Sequence, residues 1–194
     1  MNKTLFRNVT MLEGDALSPV VGDLLVADGR IAAVGSVSAE EAADAVEFAR
    51  GEHYLLAPGY INTHTHVAMA LLRDYGGDQP LDVWLNNYIW PAEARLSDDD
   101  VYWGACLCML EMIAGGATCF MEMYDHCDAI AQAVVDSGMR AIISRGSVGM
   151  NDPEGRGIAE NDAAYARWHG AEEDRIRIWY GPHAPNTCPG EYIQ

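Results

Sequence analysis

The 194-residue chain carries 29 acidic against 12 basic side chains, a formal charge of -17, which excludes a nucleic-acid partner because phosphate binding needs a basic face. It is 49% hydrophobic with no apolar run near the roughly 20 residues of a membrane helix, so a soluble globular protein without a membrane partner is expected. The start lacks a basic stretch followed by an apolar core, and the five cysteines form no framework pattern; a cytoplasmic address and reduced thiols are the expectations.

Residues 4–10 alternate loosely until Gly14-Asp15 breaks the pattern, and the runs 23–28 and 30–35 flank the turn Asp28-Gly29, a strand-turn-strand signal. Short strands at 46–48 and 54–56 extend this into a small β-domain over residues 1–56. After Pro58-Gly59 the texture changes to longer helical segments separated by short apolar runs, as alternating β and α units read. Strands are expected at 55–62, 117–123, 141–145 and 176–180, and helices at 99–114, 128–137 and 158–171, which gives a barrel or a doubly wound sheet. Ser97-Asp98-Asp99-Asp100 combines a capping side chain with acids that suit a helix N-terminus. In the helix that follows, Val101, Ala105, Cys108, Met109 and Met112 recur at helical spacing and read as core. The acidic run from Glu40 to Asp44 reads as solvated surface.

The stretch from Pro58 to His66 carries the chemistry. Side chains alternate along a strand, so His64 and His66 project the same way if the strand continues through Thr65, and two imidazoles on one face are a pair of metal donors. They follow an apolar strand, where the C-terminal mouth of a parallel barrel places a site. Arg145 ends the apolar run from Met139 and has the fork that binds a carboxylate in a bidentate way. His183 closes the run from Ile176, and by spacing alone it could equally serve as a core or capping residue. Glu93, beside Arg95, reads on its own as a surface carboxylate.

The segment from Leu56 to His66 resembles the first barrel strand of the amidohydrolase superfamily. The stretches 89–96, 115–120 and 181–188 resemble the branch that holds methylthioadenosine/S-adenosylhomocysteine deaminases and triazine chlorohydrolases. The resemblance runs from residue 1 to 194. It implies an α/β fold: the N-terminal part of a metal-dependent (β/α)8 TIM-barrel hydrolase over 57–194, preceded by a small β-sandwich domain over 1–56. It further implies that His64 and His66 are the first two ligands of one divalent metal, Zn(2+) with Fe(2+) as the alternative. Glu93 then holds the ribose hydroxyls of a nucleoside, Arg145 contacts substrate and His183 hydrogen-bonds a purine; Arg156 is a weaker substrate candidate. The implied reaction is hydrolytic deamination of an adenosine derivative such as S-adenosylhomocysteine or methylthioadenosine, by water that the metal activates. Triazine-type chlorohydrolase and guanine-type deaminase activities are the alternatives.

Some members of the superfamily bridge two metals with a lysine on the fourth strand. Lys3 is the sole lysine here, which points to the mononuclear branch. The family's third metal histidine, its proton-shuttling glutamate and its metal aspartate belong to later strands. No catalytic residue is therefore assigned in this segment, the barrel is expected to be incomplete, and the polypeptide is expected to be a truncated product with weak metal binding and no deaminase activity. The expected partner is a small molecule, a nucleoside or related heterocycle, with a homo-oligomer as the open alternative to a monomer.

Overall fold

The computed structural model describes residues 2–48, 51–185 and 187–193, with the side chain of Asn151 outside that description. The chain divides into two compact units, Met1–Pro58 and Gly59–Gln194.

In the first unit β1 (Lys3–Glu13), β2 (Ser18–Ala27) and β3 (Arg30–Gly35) form an antiparallel meander. Asp28 and Gly29 both take positive φ, 49° and 76°, the backbone that a tight hairpin turn matched to strand twist requires. Two further strands, β4 (Val46–Phe48) and β5 (Leu55–Leu56), add in parallel to β1, giving a five-stranded sheet that buries Leu5, Leu25 and Val37. The expected strand 55–62 is thus two strands. Leu55-Leu56 belongs to this sheet and the strand of the second unit starts only at Tyr60, because Pro58 has no N–H for a ladder and Gly59 packs its backbone where a Cβ would meet the Thr118 side chain at 2.3 Å.

A bulge between Phe6 and Val9 turns the Asn8 amide toward Asp23, whose carboxylate accepts it at 3.0 Å and accepts Arg7 Nη1 at 2.8 Å. The Asn8 amide is the main cause holding the Asp23 carboxyl below its ordinary range. A carboxyl depressed in the folded state stabilises above the unfolded value, near 3.9, and loses that contribution as pH falls through the lower folded value. Urea unfolding between about pH 5 and pH 2 is therefore expected to show a steeper acid loss for the native chain than for Asp23→Asn. Parallel curves would remove Asp23 from the account.

The second unit alternates strands and helices. Its strands β6 (Tyr60–Thr65), β7 (Ala117–Tyr124) and β8 (Arg140–Ser147) run parallel in that order, and β9 (Ile176–Ile178) and β10 (Gly181–Pro182) both pair with β8. Between β6 and β7 lie α1 (Leu81–Trp84), a π-helical turn at Leu85–Ile89, α2 (Trp90–Glu93) and α3 (Asp98–Ala114). After β7 comes α4 (Cys127–Ser137), and after β8 comes α5 (Arg156–Trp168). The expected α3 terminus is a full capping box, in which Ser97 Oγ accepts the Asp100 amide and the Asp100 carboxylate accepts the Ser97 amide. The last expected helix ends early, at Trp168, because Gly170 takes φ 82° and stops it before Ala171.

Phe120 on β7, Ile143 on β8 and Ile176 on β9 pack with Val101, Ala105 and Met109 of α3 and Ile130 and Val134 of α4 in one core. Cys108 and Met112 lie partly buried against it, as the helical spacing predicted. All five cysteines are free. Among the described residues no helix is long and apolar enough to cross a membrane.

Gly104 lets α3 sit directly on the 3-10 turn Val67–Leu72 that follows His66: a Cβ there would lie 2.7 Å from the Ala68 carbonyl oxygen and 3.1 Å from Ala68 Cα. Both neighbours are backbone and cannot rotate away. Gly104→Ala gains helix propensity, about 1 kcal/mol, but the overpacking costs about 1–3 kcal/mol. A net loss of stability in chemical denaturation is expected, and a gain would show that the turn moves freely.

Candidate active site

The ladder between β6 and β7 advances three residues on β6, from Asn62 to Thr65, against two on β7, from Phe120 to Glu122. One extra residue bulges out at the histidine pair, a common device for re-aiming side chains near sites. Simple alternation does not describe this strand end, yet the rings of His64 and His66 still meet edge-on, with centroids 4.9 Å apart.

The two histidines are held differently. His66 Nδ1 lies 2.7 Å from the Met123 carbonyl oxygen, which can only accept, so Nδ1 carries a proton and in the neutral ring Nε2 keeps its lone pair. Beside it is Glu122, whose side chain is fully buried; one oxygen accepts the Val67 amide at 2.5 Å and the other lies 3.6 Å from His66 Nδ1 with no hydrogen-bond partner. The Glu122 carboxylate beside the ring raises the basicity of His66 against the effect of burial, while burial pushes the Glu122 carboxyl up. His64 is exposed, and its amide is turned toward Asn62 Oδ1 at 3.3 Å.

Glu93 reaches the site because the π-helical turn before α2 shifts the helix face by one residue, a feature that recurs at functional positions. It is not the surface carboxylate that its sequence neighbours suggest. Glu93 Oε1 accepts a hydrogen bond from the Tyr124 hydroxyl at 2.8 Å, and burial raises its carboxyl above the usual range.

Arg145 lies on β8, its backbone amide fixed by the buried Asn161 side chain at 2.9 Å. Its Nε donates to Glu160 at 2.7 Å and its Nη1 pairs with Asp125 at 2.5 Å and with the Gly146 carbonyl. Burial works against its charge, but Glu160 and Asp125 hold the guanidinium protonated. The expected open fork is therefore already engaged on two of its nitrogens. His183 follows β10; Thr187 Oγ1 donates to the Ala184 carbonyl and so accepts from His183 Nδ1 at 2.9 Å, which leaves His183 Nε2 as an acceptor. Asn186 in this stretch lies outside the described residues.

His66, Glu93, Arg145 and His183 line one cavity of about 240 Å³, together with Trp84, Trp90 and Tyr124. His64 is not among its lining residues, and Arg156 lines a different cavity with Arg145. Sequence reasoning did not single out Glu122, Tyr124 or Asp125. The available signal was an acid set inside the apolar run Phe120-Met121-Glu122-Met123-Tyr124, where burial of a charge requires a reason.

The chemistry of these donors fits a divalent metal. Two imidazoles adjoin, one already presents Nε2, and a buried carboxylate oxygen beside it has no partner. Among the described residues no group of three or more His, Cys, Asp or Glu side chains is arranged to hold an ion.

A family model described as the amidohydrolase family matches residues 55–194. The chain is 42% identical, over its whole length, to a 5-methylthioadenosine/S-adenosylhomocysteine deaminase from Desulforamulus reducens and covers 45% of that protein. Among solved structures it is similar to an adenosine deaminase from Xanthomonas campestris with bound zinc, at 25% identity and TM-score 0.80, covering 99% of this chain and 45% of that one. It is also similar in fold to a zinc-complexed atrazine chlorohydrolase from Arthrobacter aurescens, at 19% identity and TM-score 0.78, covering 98% and 49%. The chain spans about half the length of the relatives it matches.

Proposed function

Because this chain belongs to the amidohydrolase family, we propose that it supplies the metal-binding strand end and one wall of the substrate cavity in a hydrolase acting on carbon–nitrogen bonds, most specifically a deaminase of adenosine derivatives. The observation that carries this reading is the meeting of His66, Glu93, Arg145 and His183 at one cavity, from four separate segments of the chain. The two compact units support a division into a small β-domain over 1–56 and the first half of a barrel over 57–194.

In this reading His64 and His66 hold one divalent cation, zinc by analogy with the zinc-bound relatives. When bound it supplies Lewis acidity that activates water for hydrolysis near neutral pH. Glu93, with Oε1 occupied by Tyr124, offers Oε2 to a sugar hydroxyl. His183 Nε2 accepts from a ring N–H or amino group. Trp84 and Trp90 give the cavity an apolar surface for a flat heterocycle.

The test is ligand binding by calorimetry and ammonia release, with methylthioadenosine, S-adenosylhomocysteine, guanine and a chlorotriazine offered to the zinc-loaded protein. Saturable binding of the adenosine derivatives that Glu93→Gln weakens supports the reading. Chloride release from the triazine favours the chlorohydrolase alternative, and failure to bind any of the four sinks both. Tyr124→Phe removes one hydrogen bond worth about 0.5–1.5 kcal/mol, so nucleoside binding is expected to weaken by about 2–10-fold. The corresponding dideoxynucleoside should bind native and variant alike, and an equal loss for both would show that Tyr124 acts elsewhere.

A further inference from the structure

Among the described residues Glu122 is the one charged side chain in the buried interior, and it sits in the middle of an apolar strand. Keeping an acid there costs free energy that a leucine or methionine would not, unless the carboxylate has a task. Its two oxygens divide that task. One accepts the amide of Val67, the residue directly after His66, and the other faces His66 Nδ1 at 3.6 Å with no hydrogen-bond partner of its own. The next residue on the same strand, Met123, offers its carbonyl to the same ring nitrogen at 2.7 Å. Two consecutive residues of β7 therefore fix both the backbone beyond His66 and the proton on its ring.

We propose that Glu122 is a positioning residue: its carboxylate beside Nδ1, together with the Met123 carbonyl that accepts the Nδ1–H, holds His66 as the Nδ1–H tautomer in a fixed ring orientation that presents Nε2 to a divalent cation. The inference rests on reading His64 and His66 as metal donors. The simpler alternative is that Glu122 merely satisfies the Val67 amide. Glu122→Gln separates the two, because its amide oxygen can still accept from Val67 while the negative charge beside the imidazole is gone.

The experiment uses the full chain and cobalt(II) chloride, with binding followed by visible absorption, alongside long-range 1H–15N spectra of the metal-free histidines. Glu122→Gln is expected to unfold at the same denaturant midpoint as the native chain, to bind cobalt about 10–100-fold more weakly, and to show His66 in mixed tautomers where the native chain shows Nδ1–H. In a His66→Ala background the same change should have no further effect on cobalt affinity. Cobalt affinity within about twofold of native with an unchanged tautomer overturns the proposal, as does an equal loss in the His66→Ala background. If Glu122→Gln does not fold, the native spectrum decides, since an Nε2–H tautomer at His66 contradicts the assignment, and Glu122→Asp, which restores charge, should bind cobalt more tightly than an uncharged Glu122→Ser. If the native chain and the His64→Ala/His66→Ala double variant take up cobalt equally, the metal reading fails, while the tautomer spectra still decide whether Glu122 positions the ring.

Discussion

Phe120→Ala is expected to destabilise the protein by about 3–5 kcal/mol, the largest effect of any single side chain considered. Phe120 is fully buried, pairs in register with Asn62 on β6 and Ala141 on β8, and packs among residues of α3 and α4. Truncation removes apolar area and leaves a cavity that strands on both sides prevent from collapsing. Urea unfolding monitored by circular dichroism measures the loss. A change under about 1.5 kcal/mol would mean that the core around β7 is looser than its complete burial indicates.

The second large effect is on metal uptake. His66→Ala is expected to lower cobalt or zinc affinity by more than about 100-fold, since removing a donor should exceed the 10–100-fold range seen for removing an outer partner. His64→Ala should lower it too, while its stability stays near native, because His64 is exposed and its ring is not part of the core. Competition with a chromophoric chelator gives the affinities. Retention of native affinity by His66→Ala would move the metal site away from this strand end.

Much of this arrangement was legible in the residues. The hairpin at Asp28-Gly29, the capping box at Ser97 and the packing face of α3 are local patterns, set by turn geometry, capping chemistry and helical spacing. The pairing of His64 with His66 was legible as well, although the route was not: a bulge, rather than unbroken alternation, brings the rings together. Glu93 shows where local reading stops. Its neighbours make it look like a surface acid, and only the π-helical turn, which no spacing rule anticipates, carries it into the cavity. The partners of Arg145 are similarly remote, since Asp125 and Glu160 lie 20 and 15 residues away on different segments and meet it only through β8 packing. The division of the 55–62 run between two sheets required knowing that β1 recruits Leu55 and Leu56.

The double engagement of Arg145 bears on how the cavity discriminates. A lone guanidinium rewards any anion that reaches it, but one already held by Asp125 and Glu160 rewards a newcomer only by the difference between the pairing gained and the pairing given up. Swapping one carboxylate for another is close to an even exchange. Ligand charge should therefore count for little here, and on the proposed reading a neutral nucleoside and its zwitterionic amino-acid conjugate would be sorted by ring shape and by the hydroxyls offered to Glu93. On the deaminase reading proposed above, such a cavity would accept a series of compounds that share a sugar and a base and differ in what is attached beyond them.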